Sequence, residues 1–324
     1  MPQLTVEDIS AGSFLITFGT FALVFNSLIG WCMLRLCKEI TGFRFLFSHT
    51  VSDVLLIIQF TLLPGIIILS QHDIIPKAYR WHFHHYLDFT WWAMVWHYML
   101  VALTRLCAIG WPKWFKYLSV QICVFCCIGA WSLGLLQSLV EHQFSSFVSL
   151  YYDAKSYGLT ANWEAYNHGT STYYLIMNLT PVLAPLPVYV LAMYVYLRRR
   201  KRQMILADCS MNRTMNYQLG VEKRLLLPCS INAFVFIFEQ VIIAICSRNY
   251  GKWITFTLIV LFALSAVINP ATYFICSSAI RSEIKKICRQ NDKRSFAYEF
   301  NDNRSVLASL ASTNIVSINC LLIS

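Results

Sequence analysis

The sequence predicts an all-α membrane protein, a seven-transmembrane-helix bundle with its N-terminus outside and its C-terminus in the cytosol. Three observations lead there. Of 324 residues, 57% are hydrophobic and only 13% are charged, against about 25% charged in ordinary soluble domains. Seven apolar runs are each long enough to cross the hydrocarbon core, which takes about 20 residues of helix. The basic residues gather in the connecting segments that fall on one side of those runs.

A backbone in lipid must satisfy its own hydrogen bonds, so each long apolar run is read as a helix. The first runs from Ala11 to Leu34 without a charge, and the second, Phe45 to Ser70, carries Asp53, with His49 near its inner end. The third, Tyr86 to Ile109, bears Asp88, His97 and Arg105. The fourth (Tyr117 to Val140), the fifth (Gly169 to Leu197) and the seventh (Trp253 to Ile280) are uncharged, and the sixth (Leu225 to Ser247) carries only Glu239. This divides the chain into a short extracellular segment over 1–10, a bundle over 11–280, a juxtamembrane amphipathic helix over 281–290 and a disordered cytosolic tail over 291–324. Met1 to Ser10 has no basic stretch and carries Glu7 and Asp8, so the first run is expected to stay as a signal anchor.

Orientation follows from Lys and Arg. With the N-terminus outside, all but five of the 26 basic residues fall on the cytosolic side; the five are Lys77, Arg80, Lys155, Arg248 and Lys252. The net charge of +10 is therefore local. The basic run from Arg198 to Arg202 directly follows a helix end, where anionic lipid headgroups or a protein partner explain it, and no nucleic-acid partner is expected. The sequons Asn178-Leu-Thr, Asn212-Arg-Thr and Asn303-Arg-Ser all avoid the predicted outer segments. Of 12 cysteines only Cys246 approaches the outer surface, so no structural disulfide is expected.

Polar side chains inside a membrane are costly and tend to face the bundle interior. Asp53 and Asn269 are expected to share a transmembrane polar network with Asn26, though interhelical hydrogen-bonding glue accounts for Asn26 equally well. Pro64, Pro181, Pro185, Pro187 and Pro270 are expected to distort their helices.

In order along the chain stand Asn26 in the first helix, Ser52-Asp53 in the second, and Leu103-Thr104-Arg105-Leu106 ending the third. Trp131 follows in the fourth, Pro185 or Pro187 in the fifth, and Asn269-Pro270-Ala271-Thr272-Tyr273 in the seventh. This ordered set resembles the rhodopsin-like G-protein-coupled receptors over about residues 11–290. Leu103 to Ile109, then Trp111-Pro112 and an aromatic, basic loop, is most similar to class X of the nematode serpentine chemoreceptors.

The resemblance implies a chemosensory receptor for a small molecule or peptide, signalling to a heterotrimeric G protein, in the plasma membrane of a sensory cilium. It implies G-protein coupling through Arg105, Thr104 and Tyr273; an arginine at a helix end can also simply snorkel to the headgroups. Ligand-binding candidates are Asp88, Trp91, Trp92, Asn178, Glu239 and Gln240. Asp88 and Glu239 suit a cationic or polar ligand, or pair with neighbours, and the tryptophans also suit interfacial or core packing. Ser295, Ser305, Ser309, Ser312, Thr313 and Ser317 suit a kinase and an arrestin-like partner, or an unmodified disordered tail. Cys288, in a basic juxtamembrane stretch, is a lipidation candidate.

The chain also departs from the pattern. Thr104 stands where the acidic neighbour of the arginine is usual, the usual outer disulfide is missing on both sides, and the sixth helix has Glu239 and Gln240 in place of a Cys-Trp-x-Pro motif.

Three rival classes are weaker. A membrane di-iron enzyme needs many histidines near one plane; His82, His84 and His85 cluster, but His49, His72, His97, His142 and His168 fall singly at different depths. No cofactor is expected, and an ordinary outer loop is preferred to a local metal site for His82, His84 and His85, so no metal is expected. An inverted seven-helix channel requires the N-terminus inside, against the basic-residue bias. A transporter is expected to show repeated halves, and none is visible.

Overall fold

The computed structural model describes residues 4–143, 148–162, 172–173, 176–177, 183–205, 213–246 and 251–289. The first span is a helix over Val6–Leu36, started by a reciprocal cap: Asp8 N–H donates to Thr5 Oγ1 (3.2 Å) and Thr5 N–H to Asp8 Oδ2 (2.8 Å). Its outward face shows Phe14, Phe21, Val24 and Trp31, side chains suited to lipid. Its inward face is small. A Cβ on Gly12 would lie 3.1 Å from the Gly65 carbonyl, so the first and second spans meet almost backbone to backbone.

The second span comprises helices over Gly42–Ile57 and Leu63–Ser70, joined by a wider π-helical turn over Ile58–Leu62. Pro64 is the cause: it donates no hydrogen bond, and its ring collides with a regular helical turn before it, so the backbone opens by one residue. The distortion predicted from Pro64 therefore takes the form of a bulge inside a continuous span.

The third span, Arg80–Gly110, is the centre of the bundle. It packs against the second, fourth, fifth and sixth spans and buries residues all round its surface, Trp92, Ala93, His97, Ala102 and Arg105 among them. The fourth span, Val120–Glu141, is peripheral: Cys123, Ala130, Gly134, Ser138 and Glu141 form a single inward stripe. At Gly134 an added Cβ would fall 2.5 Å from Ala93 N and 2.8 Å from Ala93 Cα, so the third and fourth spans touch at their backbones.

The remaining spans are helices over Pro185–Ile205, Arg213–Cys246 and Lys252–Cys276. The fifth runs past Leu197 into the basic segment, and the sixth begins at Arg213, before its apolar part. Apolarity marks how much helix lipid can cover, whereas the backbone continues helical into water wherever propensity allows. Pro228 and Pro270 lie inside the sixth and seventh helices. The seventh ends at Cys276 rather than Ile280, because Ser277 is extended (φ −93°, ψ 108°). A separate helix covers 278–289, with Lys286 donating to Glu283 at 3.0 Å.

One element has no counterpart in the sequence reading. Strands β1 (Tyr151–Asp153) and β2 (Gly158–Thr160) form an antiparallel hairpin at the end of the bundle that holds the N-terminus. The hairpin is tied inward: Tyr152 Oη donates to the Gln59 carbonyl (2.5 Å) and Tyr157 Oη to Asp8 Oδ1 (2.6 Å). Gly158 sits against Thr255 and Ile259 of the seventh span, and Arg80 lies 3.9 Å over the Tyr151 ring. At the opposite end Arg44 is a clamp, donating to the carbonyls of Cys37 (3.0 Å) and Leu118 (3.1 Å).

Candidate functional site

The bundle holds a continuous polar system in its middle. Asn269, on the seventh span, donates from Nδ2 to both oxygens of Asp53 on the second (3.2 and 3.3 Å). Tyr98, on the third, donates to Asn269 Oδ1 (3.0 Å). His49 comes within 3.8 Å of Asp53 and packs edge-on against Tyr98. All four are buried. Three helices are thus joined through one amide whose donor and acceptor are both used.

His97 extends the system towards the fourth span: its Nε2 lies 2.8 Å from Ser48 Oγ, which accepts from Trp131 Nε1 (3.1 Å). Asn26 does not join. Its Nδ2 donates to the Ala22 carbonyl of its own helix (2.9 Å), and its Oδ1 is buried without a hydrogen-bond partner. His49 was legible, since it stands four residues before Asp53 and so shares its helical face. Tyr98 was not, because nothing in the sequence pairs it with a residue 171 positions away.

Towards the end opposite the N-terminus lies Arg105. It is fully buried, and its guanidinium donates to the Gly42 carbonyl at the start of the second span (3.3 Å). It does not snorkel. Thr104 turns back on its own helix, donating to the Val101 carbonyl (2.7 Å). Tyr273 is buried, 3.8 Å from Cys229 Sγ of the sixth span, and Thr272 donates to Asn232 of the same span. The Tyr189 hydroxyl, from the fifth span, is buried without a hydrogen-bond partner.

Towards the N-terminal end the ligand-binding candidates separate. Trp91 faces the interior, packed edge-on to Phe60 and Phe262 and tilted against Phe236. Trp92 and Asp88 turn to the fourth span instead. Trp92 Nε1 donates to Glu141 Oε2 (2.8 Å), and Glu141 also accepts from Gln137 (3.2 Å) and Tyr173 (2.7 Å). Asp88 faces His84 (3.4 Å) and His142 (3.7 Å). His142 therefore does not stand alone as the sequence suggested: the end of the fourth helix brings it onto the first turns of the third. Glu141 was missed because it lies one residue beyond the apolar run that defined the fourth span. Asn178 falls outside the described residues, as do the side chains of Glu239 and Gln240. None of the nine cysteines Cys32, Cys37, Cys107, Cys123, Cys126, Cys127, Cys229, Cys276 and Cys288 is in a disulfide, and Cys288 is exposed.

The arrangement links helices through side-chain hydrogen bonds, Ser48–His97 (2.8 Å) among them. Its polar groups bridge helices. The architecture is that of squid rhodopsin, with a TM-score of 0.70 over 88% of this chain and 87% of that one, at 14% identity; the likeness establishes the seven-helix fold. No curated protein matches the sequence. The family model described as the serpentine type 7TM GPCR chemoreceptor Srx matches residues 14–276, which agrees with the resemblance carried by Leu103 to Ile109 and by Asn269 to Tyr273. The chain belongs to that family and is a chemosensory G-protein-coupled receptor, not an enzyme.

Proposed function

We propose that the receptor lies in the plasma membrane, in a sensory cilium, with its N-terminus outside, and binds a small molecule or peptide among the outer halves of the third, fifth, sixth and seventh spans. Binding shifts the bundle to a state in which the sixth span swings outward and Arg105 meets a heterotrimeric G protein. A ligand moves such an equilibrium only by binding one state better than the other. The observation that carries this reading is Arg105 itself: a fully buried cation at the end of the central helix, held by a backbone carbonyl of another span. Tyr273 and Thr272 touch the sixth span, the span proposed to move.

Trp91 is the described ligand-binding candidate that faces the sixth and seventh spans; Asn178, Glu239 and Gln240 complete the proposed pocket, with Asp88 and Trp92 behind it. Phosphorylation of the serine-rich tail would recruit an arrestin-like partner. Acylation of Cys288 would anchor the tail to membrane lipid.

In cells, a G-protein recruitment assay over a panel of odorants and peptides is expected to identify an agonist for the wild type. Arg105→Ala is expected to reduce the agonist response about tenfold or more, a loss of about 1.4 kcal/mol in coupling, at equal surface expression. An unchanged response would remove Arg105 from the coupling step. Orientation is tested separately by glycan removal. A sequon introduced ahead of Ala11 is expected to be glycosylated, and native Asn212 and Asn303 are expected to stay bare; glycans on the native sites would reverse the topology and favour an inverted channel.

A further inference from the structure

We propose that His84, Asp88 and His142 form a binding site for a divalent transition-metal ion of the zinc class at the N-terminal end of the bundle. The site goes beyond receptor function and does not depend on the role of Arg105, which lies towards the other end of the third span.

The geometry is that of a chelate. His84 and Asp88 stand four residues apart on one face of the third span, and His142 immediately follows the fourth. One ligand atom from each lies within 4.8 Å of the other two. Asp88 Oδ2 is 3.4 Å from His84 Nε2 and 3.7 Å from His142 Nε2, and His84 Nδ1 is 3.1 Å from His142 Nε2. Metal–ligand distances of about 2.0–2.2 Å place the corners of a tetrahedron about 3.3–3.6 Å apart; with His84 binding through Nε2, the two Asp88 edges are already close to this length. Two imidazoles and a carboxylate are a donor set that leaves a fourth position open.

One hydrogen bond sets the ligand atom of His142. His142 Nδ1 donates to the Ser138 carbonyl (2.8 Å), which fixes the tautomer and leaves the neutral ring a lone pair on Nε2. That lone pair is the one His142 would present to an ion. The His142–Ser138 bond is the outer contact that metal-binding histidines usually have, and the His85 ring, stacked on His142 with centroids 3.7 Å apart, holds the imidazole plane.

Such an ion would lock the start of the third span to the end of the fourth. The test uses the full-length receptor in detergent, stripped with a chelator and titrated with Co²⁺. One equivalent is expected to give the visible bands of a four-coordinate ion, and Zn²⁺ is expected to abolish them. His142→Gln and Asp88→Asn are each expected to weaken binding about tenfold or more, whereas His72→Gln and His82→Gln retain it. Thermal unfolding without metal establishes that each variant is folded. Absence of the bands from folded wild type would overturn the proposal, as would unchanged affinity in both ligand variants.

Discussion

Asn269→Leu is expected to destabilise the receptor by about 3 kcal/mol. The substitution removes the donor to both Asp53 oxygens and the acceptor for Tyr98 in one step. Two buried side chains, Asp53 and Tyr98, then lose these bonds at a depth where water is scarce, and unmade bonds cost more there than made ones contribute. Measured values for single interhelical bonds in membranes are smaller, about 0.6 kcal/mol, because the partner usually finds a substitute. Asp53 has His49 nearby at 3.8 Å, but His49 cannot also satisfy Tyr98 and both carboxylate oxygens. Asp53→Leu combined with Asn269→Leu is therefore expected to cost less than the sum of the two single changes. Thermal unfolding of the four proteins in detergent measures this, and strict additivity would show that the network is not a unit. Asn269 joins three helices, so on the proposed mechanism its loss should also change basal G-protein recruitment.

Gly134→Ala is expected to cost about 2 kcal/mol, although it adds a single methyl group. The new Cβ would meet the backbone of the third span, Ala93 N at 2.5 Å and Cα at 2.8 Å, which no rotamer change can relieve. The helices must separate, and the separation is felt by Trp92–Glu141 and by Trp96–Gln137 (3.0 Å), which bridge the same pair. Ala93→Gly is not expected to rescue the variant, since the collision is with main-chain atoms. Gly129 on the same helix supplies the control: a Cβ there meets nothing within 4 Å, so Gly129→Ala should be neutral or slightly stabilising through helix propensity. Equal unfolding midpoints for the two alanine variants would show that the third and fourth spans do not depend on this contact.

These two expectations differ in how far the sequence announced them. Asp53 and Asn269 stood out because a polar side chain in an apolar run must find a partner, and the structure pairs them. Gly134 carried no such signal. A glycine among apolar residues reads the same whether it faces a helix or lipid, as Gly129 shows. Asn26 was singled out on the same grounds as Asp53, yet it bonds its own backbone; polarity states the need for a partner without saying where the partner is.

The sequence by itself determined the class of the protein. Lipid forces long apolar runs into helices, and the ordered series ending in Asn269-Pro270-Ala271-Thr272-Tyr273 marked the receptor family, which the family match establishes. Local chemistry was also legible in part, as with the backbone distortion at Pro64. Only the tertiary structure decided which polar groups meet. Tyr98 completing the Asp53–Asn269 pair, Trp92 turning to Glu141, His142 arriving beside His84 and Asp88, and the hairpin tied to Gln59 and Asp8 all join residues far apart in the chain. Such contacts depend on helix rotation and tilt, and those are set by close packing at small residues such as Gly12, Gly65 and Gly134 rather than by the hydropathy that made the helices.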